Sequence, residues 1–379
     1  MVGAPNRQKA VGQAEAPQTI DPGLSVSLDI IRFLAALVVC VGHASGGWLT
    51  GGYFWQAGIY LHAAVMIFFV LSGYVVAATT QRARGGSAYS AARISRLLSV
   101  VIPALAVTAL LDSIGLWANA EFYLVTAPQA TGGGTDLTTA PAWRYLINLL
   151  HIQEFWTVSG PRTPGSNGPF WSLSYEAAYY AMFGMLVFLR PKLAWAGIAL
   201  LLLAAGPRIA LLAPIWFAGV VLWQQRPRIS PFRGAVCLLG GIALAIAYAA
   251  LKPWIAGIDQ GMSYGPLLRE YWAGLFTILI IAGVGALSHY WRPSDRIVRR
   301  IRTVADHTFE LYLVHIPTVY FIAAISPAPA GSIARLVHVY GAVIFVTIAT
   351  HRVGRRLRPA IRRALSRRVI HPHIGAAPG

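Results

Sequence analysis

Ten apolar stretches follow one another along the chain, and each is close to the length that crosses a lipid bilayer. They cover residues 27–46, 59–80, 97–117, 170–189, 193–206, 209–224, 234–250, 270–289, 305–326 and 333–350. A spanning α-helix needs about 20 mostly apolar residues. With 56% hydrophobic residues, 12% charged residues and a mean hydropathy of +0.58, the composition is typical of a polytopic membrane protein. The stretches therefore predict an all-α bundle of about ten transmembrane helices.

The net charge of +18 is distributed unevenly, which argues against a nucleic-acid-binding protein. Of the 31 Lys and Arg residues, 24 lie in segments that the alternation of spans puts on one side. These segments are the N-terminal tail and residues 82–96, 190–192, 226–233, 292–302 and 352–368. Because basic loops stay in the cytoplasm, both termini are predicted to be cytoplasmic. Membrane lipids with anionic headgroups are the expected partners of this charge.

Few residues remain outside the spans, so the predicted organisation is one membrane domain between two tails. Residues 1–25 are predicted to be a disordered cytoplasmic tail, 26–351 the transmembrane domain, and 352–379 a basic cytoplasmic tail. Alternation of Arg with Leu, Ile and Ala in 352–368 is typical of an amphipathic helix lying on the inner leaflet. The first apolar run contains an arginine and no obvious small-residue cleavage site follows it, so we interpret it as a retained span.

That first run, LDIIRFLAALVVCVGHASGGW, carries Arg32 and His43. Eleven helical steps separate them, so both side chains project from one helix face, about 16 Å apart along the axis. Asp29 lies three residues before Arg32 and can pair with it. Ionisable groups are costly inside a membrane, so the pair is a candidate functional site. The alternative is that Arg32 only reaches back to the membrane surface and His43 is a hydrogen-bonded core residue.

A carboxylate lies at the outer end of the fourth span, in the run NGPFWSLSYEAAYY. Glu176 is costly there unless it is paired or functional, and a buried partner for an Arg or His is the structural alternative. The longest outer region, residues 118–169, precedes this span. Within it, residues 143–158 are apolar and aromatic but too short and polar for a confident span, which predicts a re-entrant or interfacial helix.

Two further ring side chains lie in the middle of the ninth span, in HTFELYLVHIP. Two interpretations of His315 are equally open: a packing residue whose hydrogen bonds are satisfied, or a functional residue. Tyr312 lies one turn before it. Cys40 and Cys237 both lie in apolar stretches and are interpreted as small core residues. No grouping of His, Cys and acidic residues has a convincing metal spacing, so no metal is expected.

The connection between the second and third spans contains an arginine pair. Arg93 and Arg96 are three residues apart and share a helix face near the inner surface. Guanidinium groups hold oxyanions in a bidentate manner, which suits phosphate recognition. Ordinary positive-inside charge is the alternative. In the preceding FFVLSGY run, Ser72 and Gly73 are small enough to allow close helix packing.

Taken together, these segments resemble the acyltransferase-3 family of integral membrane acyltransferases. The shared motifs are DIIRFLAALVVCVGH, FFVLSGY, the arginine pair in ARISR, PFWSLSYE and ELYLVHIP, in that order, between about residues 27 and 350. The resemblance implies ten spans with both ends cytoplasmic. It also implies transfer of an acyl group, expected to be acetyl, from cytoplasmic acyl-CoA to a hydroxyl of an extracytoplasmic or lipid-linked carbohydrate, as in O-acetylation of cell-envelope polysaccharides.

Residue roles follow from the same resemblance, motif by motif. It makes His43 the essential histidine and catalytic base, with Glu176 as the acidic catalytic residue of the tryptophan motif. It makes Arg32 the partner of His43 and assigns acyl-CoA binding to Arg93 and Arg96. We expect Arg32 to contribute to acyl-CoA binding as well, because it lies near the same inner surface. Residues expected to contact or support the substrates are Asp29, Ser72, Trp171, Ser172, Tyr312 and His315.

Two departures from the family pattern are visible. Many members end the last span with a Glu-x-Pro-like element, whereas this chain reads RRLRPAI and lacks the Glu. Some members carry a fused extracytoplasmic esterase-like domain with a catalytic serine, and the 379 residues here leave no room for one. The acceptor is therefore expected to be acylated by the membrane domain itself or by a separate partner.

A second class of function also fits the residues. Intramembrane Arg, His and Glu side chains suit a proton-coupled transporter or flippase for a lipid-linked glycan. A non-catalytic membrane scaffold is a third alternative. For the enzyme, the expected location is the inner membrane of a bacterium, with glycan-assembly proteins as candidate partners. The sequence specifies neither the acceptor nor the oligomeric state, and it leaves direct transfer and a transient acyl-histidine both open.

Overall fold

A computed structural model describes residues 20–130, 141–156, 162–259 and 266–370, and every regular element within these ranges is helical. The first seven α-helices are α1 (Pro22–Ala44), α2 (Gly47–Thr50), α3 (Leu61–Thr80), α4 (Gly86–Ala118), α5 (Ala127–Ala130), α6 (Ala142–Leu149) and α7 (Trp171–Phe188). The others are α8 (Pro191–Ala205), α9 (Pro207–Gln225), α10 (Pro231–Asp259), α11 (Leu267–Leu287), α12 (Asp295–Ala305), α13 (Thr308–Ile325) and α14 (Ile333–Ile370).

Each of the ten predicted spans coincides with a helix, which confirms the all-α polytopic bundle. The ten helices are α1, α3, α4, α7, α8, α9, α10, α11, α13 and α14. Within the described residues, eight helical segments are long and apolar enough to cross a membrane. The remaining two are α8, which has only 15 residues, and α7, which has 18 and carries Glu176. The cytoplasmic location of the termini stays a prediction.

The first helix begins earlier than the apolar pattern predicts. Pro22 opens α1, and the Asp21 side chain accepts hydrogen bonds from the backbone N–H groups of Gly23 (2.9 Å) and Leu24 (3.3 Å). An N-terminal cap and a proline at the first position both favour a helix start. The end of the predicted 1–25 tail is therefore helical, while residues 1–19 lie outside the described residues, as do the Gly/Thr stretch 131–140 and residues 371–379.

Helices α3 and α9 make the closest contact in the core. A Cβ at Gly73 would overlap the carbonyl oxygen of Trp216, and one at Gly219 would overlap the carbonyl oxygen of Val70. Small residues at such positions let two helix backbones approach closely in a membrane. Trp216 itself is fully buried, so the contact lies at the centre of the bundle. The expectation that the FFVLSGY segment allows close packing is correct at Gly73.

Substituting this glycine gives a stability test. Gly73→Ala is expected to destabilise the protein by about 1–3 kcal/mol, because the added methyl group must push α3 away from α9. Gly285→Ala in α11 is the matched control, since a Cβ there has no heavy atom within 4 Å. Thermal unfolding of the two variants in detergent measures the difference. An unchanged Tm for Gly73→Ala would contradict the close α3–α9 contact.

The last helix does not stop at the predicted membrane boundary. α14 runs for 38 residues through the tenth span and into the basic segment that follows it. At Gly354 it presses on α4, where a Cβ would lie 2.6 Å from the carbonyl oxygen of Ser99. The basic segment 352–368 is thus the continuation of the last span, and not a separate surface helix. Packing against α4 holds it in line with the bundle.

Candidate active site

Two histidines from different apolar spans meet inside the bundle. His43 of α1 and His315 of α13 are 3.0 Å apart between Nδ1 and Nε2, and their rings stack with centroids 5.2 Å apart. His315 is completely buried, whereas His43 is partly accessible. A hydrogen-bonded histidine pair in the membrane interior satisfies two polar groups that would otherwise be costly. The sequence alone named both residues but did not pair them.

Hydrogen bonding fixes which nitrogens carry protons. His315 Nδ1 lies 3.1 Å from the carbonyl oxygen of Leu311, and a carbonyl can only accept. The His315 Nδ1 therefore carries the hydrogen, and its Nε2 is the acceptor in a neutral ring. His43 Nδ1 then donates to that Nε2, so the remaining nitrogen of His43, Nε2, keeps its lone pair. The arrangement produces an imidazole that is oriented by its partner and can accept a proton.

Tyr312 lies one turn before His315 and separates the histidine pair from a cavity. Its hydroxyl is 3.0 Å from Ser172 Oγ and donates to the carbonyl oxygen of Pro169 at 3.2 Å. Its ring meets Phe68 edge-on, with centroids 5.4 Å apart. The Tyr312 ring is also 6.3 Å from the His315 ring between centroids, and both Tyr312 and Phe68 line the cavity. We call these two rings the aromatic partition between the histidine pair and the cavity.

The cavity beside this partition is partly open, and its empty space of about 710 Å³ includes solvent at the opening. Basic and acidic side chains line it together with apolar ones, and its polar members are Arg32, Ser72, Arg93, Arg96, Ser172, Glu176, Tyr180, Thr308 and Tyr312. Its apolar wall consists of Val65, Phe68, Phe69, Val75, Val76, Leu173 and Phe309. Helix α1 thus contributes Arg32 to the cavity, and eleven residues later contributes His43 on the far side of the partition.

Glu176 lies in this cavity with the arginines and not beside His43. Ser72 Oγ donates to Glu176 Oε1 at 3.1 Å, and the Tyr180 hydroxyl donates to the same oxygen. Among the described residues no carboxylate contacts His43, and the histidine is oriented by His315 instead. The sequence placed Glu176 at the outer end of the fourth span. Glu176 is, however, five residues into the helix and faces inward.

The arginines of the cavity are poorly neutralised. Arg32 pairs with Asp29 at 3.2 Å, as its three-residue spacing predicts. Arg93 donates to Thr79 Oγ1 at 2.7 Å and lies over the rings of Tyr89 and Tyr180, while its Nε is buried without a partner. The Arg96 guanidinium has no hydrogen-bond or ion-pair partner among the described residues. Unused guanidinium donors that face one cavity suit a multiply charged anion.

Residues 143–158 were predicted to form a re-entrant or interfacial helix; the structure describes them as far as 156, and only the first part is helical. α6 ends at Leu149, and an irregular buried segment follows, with positive φ at His151 (59°) and Trp156 (48°). The Trp156 N–H donates to the carbonyl oxygen of Ala205 at 3.0 Å, which holds the segment against α8. Burial raises the pKa of the Glu154 carboxyl and lowers the pKa of His151 to about 4. Strained backbone and a buried carboxylate are features of functional segments.

Sequence reasoning missed the apolar side chains of the cavity and two of its polar ones, Tyr180 and Thr308. Phe68 lies four residues before Ser72 and Tyr180 four residues after Glu176, so each shares a helix face with a residue that was singled out. This four-residue spacing was the sequence signal from which Phe68 and Tyr180 could have been found. Trp171 does not line the cavity but lies beside Phe69 and Tyr175, with Arg208 over its ring. No group of His, Cys, Asp and Glu among the described residues is arranged to hold a metal ion.

Comparison with known proteins agrees with this architecture. Residues 25–352 match the family model of an acyltransferase domain, that of the acyltransferase-3 family. The chain therefore belongs to the acyltransferase-3 family and is a multi-pass membrane acyltransferase. No curated protein and no solved structure matches the chain significantly.

Proposed function

We propose that this protein transfers an acyl group from cytoplasmic acyl-CoA to a hydroxyl of an extracytoplasmic or lipid-linked carbohydrate, with His43 as general base. The observation that carries the proposal is the oriented His43–His315 pair, one aromatic layer away from a cavity lined by three arginines. The family match supports acyl transfer in general. The donor, the acceptor and the base are inferences from the site.

The cavity fits the donor. Coenzyme A carries its phosphates at one end of a long flexible arm and the thioester at the other. Arg93 and Arg96 offer the forked donors that phosphate oxygens prefer, and Arg32 adds a third guanidinium from α1. The apolar wall suits the uncharged arm. In this orientation the thioester points toward the partition formed by Phe68 and Tyr312.

The reaction requires a proton acceptor on the other side of the partition. An alcohol is a weak nucleophile at neutral pH, and His43 Nε2 can remove its proton as the oxygen attacks the thioester carbonyl. The new C–O bond forms, the C–S bond breaks, and the proton taken by His43 passes to the departing thiolate. The Tyr312 hydroxyl is held by Ser172 and Pro169, whereas Phe68 has no such bond, so Phe68 is the side chain that turns aside for the acyl group.

Glu176 acts on the donor side in this mechanism. Its carboxylate accepts from Ser72 and Tyr180, and Arg93 lies over the Tyr180 ring. Glu176 therefore fixes the wall against which the arginine pair binds the donor, and it contributes to catalysis by holding the thioester end in line. Trp171, outside the cavity, supports Phe69 in the same wall.

An acetyl donor and a carbohydrate of the bacterial cell envelope are the substrates we propose, with the inner membrane as the location and glycan-assembly proteins as partners. The test supplies radiolabelled acetyl-CoA to membranes with and without the protein, followed by extraction of envelope glycans. Label that depends on the protein supports the enzyme. Movement of a lipid-linked glycan without label would instead identify a transporter.

The arginine pair gives a kinetic prediction. Arg93→Ala and Arg96→Ala are each expected to raise KM for acyl-CoA about tenfold, because each removes a charge-assisted hydrogen bond to phosphate. KM for the acceptor is expected to change little. Arg84→Ala, an exposed arginine of the loop before α4, is the control and should leave both constants unchanged. Equal effects on donor and acceptor would favour a purely topological role for the pair.

A further inference from the structure

The extension of α14 carries an arginine to the edge of the donor cavity. Gly354 is packed against Ser99 of α4, and Arg358 lies one turn further along the same face of α14. The two helices are the third and tenth long helices of the bundle and run antiparallel. Arg358, four residues after Gly354, therefore lies level with the residues about four positions before Ser99. Those residues are Ser95 and Arg96.

Electrostatics agree with this placement. Arg96 and Arg93 are among the charges that act on Arg358, together with Glu310 and the neighbouring Arg362. Glu310 is already engaged, since His351 Nδ1 lies 3.1 Å from its Oε1. The described residues include no hydrogen-bond or ion-pair partner for the Arg358 guanidinium, as for Arg96.

Unpaired like charges brought together by rigid helices destabilise the protein unless an anion binds between them. Arg93 and Arg96 line the cavity, whereas Arg358 is not among its lining residues. The contact between Gly354 and Ser99 puts Arg358 at the level of Arg96 along α4. The arginine cluster thus extends from the cavity onto the open face of the bundle. An anion that fits it must carry charge both inside the cavity and beyond its rim.

We propose that Arg358, together with Arg96, forms a subsite for the 3′-phosphate of coenzyme A. The proposal rests on the proposed function. With the thioester deep in the cavity and the pyrophosphate at the arginines that line it, the 3′-phosphate is the anionic group left at the rim. This subsite makes α14 part of donor recognition and selects coenzyme A over carriers that lack the third phosphate.

The test is direct binding to the purified full-length protein in nanodiscs of zwitterionic phosphatidylcholine, with coenzyme A and 3′-dephospho-coenzyme A as the probes. The wild type is expected to bind coenzyme A about tenfold more tightly than the dephospho form, as one charge-assisted contact provides. Arg358→Ala should remove this preference and leave the affinity for the dephospho form unchanged. Arg358→Lys, which keeps the charge but loses the fork, should retain part of it.

Arg356→Ala is the matched control, because Arg356 lies two residues earlier on α14, about 200° around the helix and away from α4. It should keep the full preference. Equal weakening of both probes by Arg358→Ala, or loss of the preference in Arg356→Ala, would overturn the subsite. So would a preference that disappears once anionic phosphatidylglycerol is added to the discs, since Arg358 would then bind a lipid headgroup.

Binding needs no turnover, so the two proposals can fail separately. A protein that discriminates between the probes through Arg358 but transfers no acyl group would keep the subsite and lose the proposed reaction. A protein that transfers the acyl group but shows no preference for the third phosphate would lose only the subsite. Absence of coenzyme A binding to the wild type would overturn both.

Discussion

Replacing His43 by alanine is expected to lower kcat for acyl transfer by about 10²–10⁴-fold, the usual contribution of a general base. The reason is that His43 Nε2 is the nitrogen left with a lone pair once Nδ1 donates to His315. KM for acyl-CoA should change little, because His43 does not line the cavity that contains the arginines. Initial rates over a range of labelled acetyl-CoA concentrations, at saturating acceptor, measure both constants.

The control for this variant is His338→Ala. His338 is an exposed histidine of α14 whose Nδ1 bonds to Ser326, away from the histidine pair. Both variants should reach the membrane in wild-type amounts, and only His43→Ala should lose activity. Transfer at the normal rate by His43→Ala would refute the general-base assignment. An acyl group trapped covalently on His43 of the wild type would show that the route is an acyl-histidine and not direct transfer.

Replacing His315 by alanine is expected to lower kcat by about 10- to 100-fold, the range observed when an orienting partner is removed. Without the acceptor at His315 Nε2, His43 loses the side-chain partner that orients its ring and keeps only a hydrogen bond to the backbone of Val39. The effect should fall on kcat and leave KM for acyl-CoA unchanged. His315 is thus a positioning residue, acting through His43.

Because His315 is completely buried, alanine also leaves a hole, and a second variant is needed. His315→Gln has an amide oxygen that can reach the place of Nε2 and accept from His43 Nδ1. It should recover part of the lost kcat. A purely structural role would instead predict that the Tm, rather than kcat, separates alanine from glutamine. Recovery of Tm without recovery of kcat would therefore contradict the positioning role.

Much of the fold was predictable because hydropathy and helix geometry are local properties. Apolar runs fixed the order of the ten long helices, and the eleven-residue spacing put Arg32 and His43 on one helix. The start of α1 was missed by a few residues because the Asp21 cap and Pro22 lie outside the apolar run. The continuation of α14 was missed because its packing against α4 depends on a single glycine, Gly354.

The candidate site was predictable as a set of residues but not as a set of contacts. His43 and His315 are 272 residues apart, and no local pattern says which of several intramembrane polar groups will meet. Glu176 illustrates the difficulty. Its position in the sequence placed it at the outer end of the fourth span, but its side chain points into the cavity and bonds to Ser72. Partner choice is decided by how helices rotate and pack, which only the assembled bundle reveals.

The aromatic partition also matters for the proton gradient across the membrane. Phe68 and Tyr312 stand side by side in the wall of the arginine-lined cavity. A continuous column of water through the bundle would conduct protons and dissipate the electrochemical gradient. The same two rings stand in the way of such a column, and in the proposed reaction a variant with a smaller residue at position 68 is expected to gain easier acyl passage at the cost of ionic leakage.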